Sequence, residues 1–140
     1  MIVPTKPYVV DVTTLPRQSR FGGAMSETAV LMDHCILKFS WGRAGGPEMS
    51  GRLAAAGKPD VHPWDQCIVL ISGRVEVTLG ENGEHGTYQC GPGFYIYIPA
   101  NMPHIGKVLG DEEAFGVDVF APIRPDYLDM AKHQLDHEKA

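Results

Sequence analysis

One stretch of the chain, from Asp60 to His104, combines β-strand patterning with four polar side chains of the kind that bind metals. Asp60, His62 and Gln66 lie at positions of the same parity. If this stretch is a strand, its side chains alternate between two faces, so these three point the same way. With His104 they offer a carboxylate oxygen, an amide oxygen and two imidazole nitrogens. This is a ligand set for a divalent transition metal with open coordination positions.

Short strand-like runs separated by turn signals recur along the chain from residue 27 to residue 120. The runs are 27–32, 35–41, 61–71, 74–79, 85–90, 94–98, 105–109 and 114–120. One of the turns between them contains Asn82-Gly83, and both residues accept a positive φ, as hairpins require. Short strands at even spacing with such turns predict a closed or sandwiched all-β barrel.

The two ends of the chain read differently from its middle. Residues 8–12 form a β-rich run that predicts an edge strand or an arm, and residues 17–26 read as loop. After Phe120 a proline-rich bend leads to a predicted helix over residues 127–138, with Asp126 as its cap. We therefore divide the chain into an N-terminal strand or arm (1–26), a barrel (27–122) and a C-terminal helical tail (123–140).

Residues 42–59 form one long irregular segment, with five glycines and two prolines. Loops of this length in a compact domain are usually functional or disordered. Because the segment directly precedes Asp60, it could cover the mouth of a site. A surface insertion is the alternative.

Composition excludes several classes of function. The net charge of −5 and the pI near 5.6 give no electrostatic footprint for nucleic acid. No apolar run approaches the roughly 20 residues that span a bilayer, and the first residues lack the pattern of a signal peptide. Three widely spaced cysteines match no zinc or disulfide pattern and favour free thiols in the cytoplasm.

The central stretch resembles the two motifs of the cupin superfamily. The first motif is His-x-His, three or four residues, Glu or Gln, six residues and Gly, and here it is Asp60-x-His62-xxx-Gln66-(six)-Gly73. The second is Gly, five residues and Pro-x-Gly-x-x-His, and here it runs from Gly93 to His104. Asp60 replaces the first His, and Asn101 replaces the turn Gly, which is tolerable because Asn visits positive φ.

This resemblance implies a single-domain cupin-type β-barrel (a double-stranded β-helix, or jelly roll) with a short C-terminal helix. It also implies a divalent transition metal (Fe, Mn, Ni or Zn), with Asp60, His62, Gln66 and His104 as ligands. Two of these residues have structural alternatives. Asp60 could instead cap the preceding loop, and Gln66 could make a structural hydrogen bond.

A second resemblance lies at the end of the barrel, over residues 118–127. The sequence Asp118-x-Phe120-x-Pro-x-Arg124-x-Asp-Tyr is similar to the ending of a subset of small cupins. That subset includes cupins of pectin and alginate degradation, which convert cyclic unsaturated uronates to linear ketonised sugars. The likeness implies that Asp118, Phe120 and Arg124 belong to an active site.

These residue types suit proton transfer on an acid. A buried Asp118 would have a raised pKa and could shuttle a proton, and Arg124 could grip a carboxylate in a bidentate fork. The alternative is an Asp118–Arg124 salt bridge that fastens the C-terminal segment to the barrel.

Three functions are compatible with these residues. The first is a metal-dependent isomerase or lyase acting on a small sugar acid or a related, anionic carboxylate. The second is a non-haem Fe(II) dioxygenase that opens an aromatic or enediol substrate. The third is a non-catalytic barrel that binds a small molecule. We also expect a homodimer, because the β-rich run near the N-terminus could pair with a partner's sheet edge.

Overall fold

The computed structural model describes residues 4–45 and 57–140, which form two antiparallel sheets followed by a short helix. The strands are β1 (Gln18–Arg20), β2 (Met25–Leu31), β3 (Ile36–Gly42), β4 (Asp65–Ser72), β5 (Arg74–Leu79), β6 (Thr87–Cys90), β7 (Tyr95–Ile98), β8 (His104–Leu109) and β9 (Ala114–Ala121). The helix α1 spans Lys132–Lys139.

One sheet has six strands in the order β1-β2-β3-β9-β4-β7, and the other has three in the order β6-β5-β8. All pairs are antiparallel. From β4 onwards the chain passes between the two sheets, since β4, β7 and β9 belong to the larger sheet and β5, β6 and β8 to the smaller one, as in a jelly roll. This architecture confirms the predicted all-β barrel with a short C-terminal helix.

Alternation along the strands separates an inner from an outer face. On β4, Gln66 and Leu70 are buried while Ile71 is exposed. Alternation on β3 places Ile36 and Lys38 on the inner face of the same sheet, where both are buried. The sequence left the orientation of β3 open, and the pairing of β3 with β9 resolves it.

Two apolar clusters hold the layers together. One lies between the sheets and contains Leu70, Val77, Cys90, Ile96, Ile98, Val108 and Ala114. The other lies under the C-terminal segment and contains Ala29, Leu31, Ile36, Phe120, Ile123, Tyr127, Met130 and Ala131. Burial of these side chains is the main driving force for closing the barrel.

Residues 8–12 were predicted to form an edge strand or an arm, and the prediction of an edge strand is wrong. This segment has no strand structure, and the Tyr8 hydroxyl instead lies 2.7 Å from Nδ1 of His133 on α1. The expected loop at 17–26 contains β1 and a 3-10 turn at Phe21–Gly23. Short polar strands such as Gln18-Ser19-Arg20 carry no apolar alternation, and their pairing with β2 is set by the fold.

The predicted tail helix exists, although its first half is a 3-10 helix over Pro125–Ala131. Asp126 is not its N-cap, because the 3-10 helix begins at Pro125 and Arg124 occupies the cap position. The carboxylate of Asp126 accepts a hydrogen bond from Nε of Arg124. Of the long segment 42–59, residues 46–56 lie outside the described residues, and the expected covering role there stays a prediction. The three-part division of the chain also stays a prediction.

In the described part of the chain, no helix is long and apolar enough to cross a membrane.

Candidate metal centre

Backbone hydrogen bonds join the two segments that carry the predicted ligands. The amide of Asp60 donates to the carbonyl of His104 at 2.8 Å, and the amide of His104 donates back at 3.1 Å. A third bond, 2.7 Å long, runs from the amide of Asn101 to the carbonyl of His62. Asn101 has a φ of 66°, which fits its place at the turn position of the second motif. The backbone thus holds both motifs side by side.

The strand-parity reason for grouping Asp60, His62 and Gln66 is wrong, although the side chains do meet. Strand β4 begins at Asp65, so Asp60 and His62 lie before it and Gln66 within it. Asp60 is positioned by its bridge to His104, and His62 lies at a turn through Pro63. Convergence therefore comes from the turn and the bridge between motifs.

The side chains of Asp60, His62 and His104 are buried and surround one point. Their ligand atoms all lie within 4.8 Å of one another. Nε2 of His62 is 4.0 Å from Oδ2 of Asp60 and 3.0 Å from Oε1 of Gln66. The structure thus brings all four predicted ligands to one place, and their role as ligands stays a prediction.

Both histidines are held in the orientation that leaves Nε2 available. Nδ1 of His62 lies 2.9 Å from the carbonyl oxygen of Trp64, and Nδ1 of His104 lies 2.9 Å from that of Met102. A carbonyl can only accept, so each Nδ1 carries the proton and each Nε2 keeps its lone pair. Metal-binding histidines are commonly oriented by such a bond from the second ring nitrogen. Burial lowers the pKa of His104, which favours the same neutral form.

Two features of the site fit a bound cation. Oδ1 of Asp60 is buried and has no hydrogen-bond partner among the described residues. In the tautomer just assigned, Nε2 of His62 and Oε1 of Gln66 are two acceptors only 3.0 Å apart. A divalent ion would satisfy all these lone pairs at once, and imidazole with oxygen ligands suits a transition metal.

Arg124 lies behind Asp60 and is fully buried. Its Nη1 is 3.4 Å from Oδ2 of Asp60, and its Nε is 2.8 Å from Oδ1 of Asp126. Its guanidinium carbon also lies 4.2 Å from the ring centroid of Tyr127 and 5.0 Å from that of Phe120. Phe120 in turn packs edge-on against His62, with centroids 5.5 Å apart.

Asp118 belongs to a separate buried network and pairs with Lys38 rather than with Arg124. Nζ of Lys38 lies 3.4 Å from Oδ2 of Asp118 and 2.8 Å from Oε2 of Glu27. Glu27 also pairs with Nε of Arg20 at 2.7 Å. The alternative of an Asp118–Arg124 salt bridge is therefore wrong.

The pKa values of this network follow from burial and charge. Burial raises the pKa of Asp118, and the nearby Lys38 only partly offsets it. For Glu27, burial also raises the pKa, but Lys38 and Arg20 together outweigh that effect and hold it below its usual value. Sequence reasoning missed Lys38 and Glu27. The available signal was a charged residue at an inward position of an otherwise apolar strand.

The two sheets enclose a cavity of about 130 Å³ that reaches the candidate metal centre. Asp60, Gln66 and His104 line one end of it. Asp118, Phe120 and Arg124, the three residues predicted for an active site, also line it. Their catalytic roles stay predictions.

The facing sheets and the paired motifs at one end of the cavity define a cupin-type barrel. Residues 53–120 match the family model Cupin_2, described as a cupin domain. No curated protein sequence matches the chain.

Solved structures have the same fold. KdgF from Halomonas sp. superposes with a TM-score of 0.66 at 18% identity, covering 86% of this chain and 98% of that one. An RmlC-like cupin from Shewanella frigidimarina gives 0.67 at 13% identity, covering 87% and 96%. The iron(II) form of HppE gives 0.61 at 10% identity, covering 81% and 60%. At these identities the likeness shows the fold alone.

Proposed function

We propose that the protein is a metal-dependent enzyme that moves a proton on a small carboxylate, as an isomerase or a lyase. The supporting observation is the convergence of Asp60, His62 and His104, whose ligand atoms lie within 4.8 Å of one another. Asp118 lines the same cavity as two of them and supplies a titratable group. Metal ligands and an acid–base group in one enclosed space are the parts that such a reaction needs.

Asp60, His62 and His104 would hold the metal, with Gln66 as the fourth ligand. The chemistry of these donors fits Fe, Mn, Ni or Zn in the divalent state. When bound there, the metal would act as a Lewis acid that polarises a substrate carbonyl.

Asp118 would act as the base. Burial raises its pKa above the usual value of a carboxyl group, which makes the ionised form a stronger base. The C–H bond next to the substrate carbonyl breaks, its electron pair stays in the substrate, and Asp118 takes the proton. Return of the proton to a different atom completes an isomerisation, whereas departure of a neighbouring leaving group completes an elimination.

Arg124 would bind the substrate carboxylate. Its Nη2 is buried and has no hydrogen-bond partner among the described residues, while Nε and Nη1 are occupied. The ion pairs formed by Arg20, Lys38 and Arg124 beside the cavity contain these three cations and four carboxylates (Glu27, Asp60, Asp118 and Asp126). With all of them ionised, a divalent ion makes this cluster net positive, which favours an anionic substrate.

A second candidate is a non-haem Fe(II) dioxygenase acting on an aromatic or enediol substrate. The observation that favours it is the set of two histidines and one carboxylate, which is the ligand set of many non-haem iron oxygenases. The fold neighbour HppE was solved with iron(II).

We further propose a cytoplasmic homodimer. Cys35, Cys67 and Cys90 are all free thiols, as a reducing compartment favours.

The run at residues 8–12 is not available as a pairing strand. The dimer proposal now depends on the outer face of the six-stranded sheet, where Tyr95 is 64% and Ile71 48% exposed. Sedimentation velocity of the full chain tests it, and a monomer at all concentrations would overturn it.

Deuterium exchange tests the proposed reaction directly. Protein loaded with Mn²⁺ is incubated with 2-oxobutanoate in D₂O, and deuterium at C3 is measured by mass spectrometry. We expect exchange faster than with free Mn²⁺, and Asp118→Asn should slow it by about 100-fold or more. Asp111→Asn, in an exposed turn, is the matched control.

Three outcomes would count against this proposal. Equal exchange rates for wild type and Asp118→Asn would show that Asp118 is not the base. Failure of every divalent metal to bind would show that the protein has no metal centre and would favour a non-catalytic binding barrel. Iron-dependent oxygen uptake with an aromatic substrate would favour the dioxygenase.

A further inference from the structure

The cavity has two chemically different walls. Its polar side comes from β3, β9 and the metal centre, where Lys38, Ser40, Asp118 and Asp60 line it. The apolar lining comes from β4, the three-stranded sheet and the start of β9. It comprises Ile68, Leu70, Val75, Val77, Val108 and Ala114. The body of a ligand placed against these residues therefore contacts hydrocarbon.

Polar groups away from the metal centre are largely occupied by one another. Lys38 donates to Glu27 at 2.8 Å and to Asp118 at 3.4 Å. The hydroxyl of Ser40 is also directed at Glu27, at 3.5 Å. The donors of Lys38 and Ser40 are thus directed at protein carboxylates, and Asp118 is the acceptor on this side that a ligand hydroxyl could reach.

At the metal end the situation is reversed. Oδ1 of Asp60 and Nη2 of Arg124 are both buried and have no hydrogen-bond partner among the described residues. Nε2 of His104 keeps its lone pair because Nδ1 is committed to the carbonyl of Met102. Unsatisfied polar atoms are thus concentrated where the carboxylate and carbonyl of a substrate would bind.

We propose that the substrate is a small 2-oxo acid or close analogue, with one polar head and an apolar body free of hydroxyls. This inference rests on the proposed function and narrows its substrate class. The head would lie at Arg124 and the metal centre, and the body would lie against Val77, Val108 and Leu70.

A hydroxylated sugar acid fits this cavity less well. Each hydroxyl buried against the apolar wall would lose its hydrogen bonds to water without gaining new ones, which is costly. An alkyl chain in the same place would gain from burial. The sugar acid that the C-terminal resemblance implies is therefore the less favourable member of the class of small carboxylates.

The test compares two six-carbon acids, 2-oxohexanoate and galacturonate, on the Mn²⁺-loaded full chain by isothermal titration calorimetry. We expect 2-oxohexanoate to bind at least about tenfold more tightly, the ratio expected from one or two unsatisfied hydroxyls. Equal or tighter binding of galacturonate would overturn the inference, as would no binding of 2-oxohexanoate.

A pair of isosteric variants tests whether the body of the ligand contacts the apolar wall. Val77→Thr adds a hydroxyl to that wall and should weaken 2-oxohexanoate binding by about threefold to tenfold. Val69→Thr makes the same change on the outer face of β4 and should leave binding unchanged. Equal effects of the two substitutions would overturn the placement of the ligand body.

The same titration without metal separates this inference from the proposed function. If 2-oxohexanoate binds equally well to metal-free protein and is still preferred, the metal-dependent reaction fails while the substrate class holds. If metal is required and galacturonate is preferred, the substrate class fails while the reaction holds.

Discussion

Arg124 and Asp60, 64 residues apart in sequence, form a buried ion pair with Nη1 of the arginine 3.4 Å from Oδ2 of the aspartate. The pair joins the first motif to the ending at residues 118–127. It also gives a physical reason for an aspartate at the first ligand position. A carboxylate can accept from Arg124 through one oxygen and bind a cation through the other, whereas an imidazole oriented towards a metal has no acceptor left.

Removal of Arg124 should destabilise the fold strongly. Arg124→Met keeps much of the side-chain volume but leaves the buried Asp60 and the partly exposed Asp126 without their cation. We expect the free energy of unfolding to fall by about 3–5 kcal/mol, as for other broken buried pairs. Urea denaturation at neutral pH measures this. Arg43→Met, at an exposed arginine, is the control and should change stability little. A small effect at Arg124 would mean that the two carboxylates relax into water.

Metal content should depend on His104. His104→Ala removes one of the two imidazoles of the candidate centre, so we expect loss of near-stoichiometric divalent metal. Elemental mass spectrometry on protein purified without added metal measures this. His34→Ala, whose side chain is 92% exposed, should keep the wild-type metal content. Equal content in wild type and His104→Ala would place the metal elsewhere.

Stability should depend on pH through Glu27. The pKa of Glu27 is lower in the folded protein than in the unfolded chain, because Lys38 and Arg20 outweigh the effect of burial. A carboxyl group with a lowered pKa stabilises the fold above its unfolded pKa, and that contribution is lost as pH falls through the folded pKa. The loss should therefore begin near the unfolded value of 4.5 and continue below it.

The comparison of wild type with Glu27→Gln isolates this carboxyl group from all others. At pH 7 we expect wild type to be more stable by about 3 kcal/mol or more, because the variant leaves Lys38 without its closest partner. The difference should shrink as pH is lowered from about 5 to about 3. Urea denaturation at a series of pH values measures it. A difference independent of pH would contradict the linkage.

The last glycine of the first motif should not tolerate a side chain. Gly73 has a φ of +79°, and a Cβ there would lie 2.5 Å from Cα of Ala114 and 2.8 Å from the carbonyl oxygen of Glu113. Gly73→Ala should therefore lower the free energy of unfolding by about 3 kcal/mol through overpacking. Thermal or urea unfolding measures it.

Gly110→Ala is the matched control for this substitution. Gly110 has a similar φ of +75°, but no atom of the described residues would lie within 4 Å of a Cβ there. Gly110→Ala should lower the free energy of unfolding only through the strained backbone conformation, by about 1–2 kcal/mol. Equal losses at both positions would show that strain in the backbone, and not contact with Ala114, requires glycine at position 73.

The fold was largely predictable because it depends on local patterns. The continuous apolar run on β4 and the glycine-containing turns indicate strands, and two spaced motifs indicate how they pair. The position of β1 was not predictable, because a three-residue polar strand is held by its pairing with β2. The mixed tail helix follows from packing of Tyr127 and Met130 on the barrel, which outweighs helix propensity.

The candidate site was predictable only as a set of residues. Strand parity correctly grouped Asp60, His62 and Gln66, but for the wrong geometric reason. Their real positions depend on a turn at Pro63 and on the bridge to His104, which is distant in sequence. The partners of Asp118 and Arg124 could not be predicted for the same reason. Lys38 lies 80 residues from Asp118 in sequence, and Asp60 lies 64 residues from Arg124.

The reciprocal backbone bonds between Asp60 and His104 have a consequence for how such centres diversify. These bonds involve only amides and carbonyls, so they do not depend on which side chain position 60 carries. A replacement there leaves the bridge between the two motifs in place but removes the carboxylate that pairs with Arg124. A change of side chain at position 60 is therefore compatible with the backbone framework only if residue 124 changes with it.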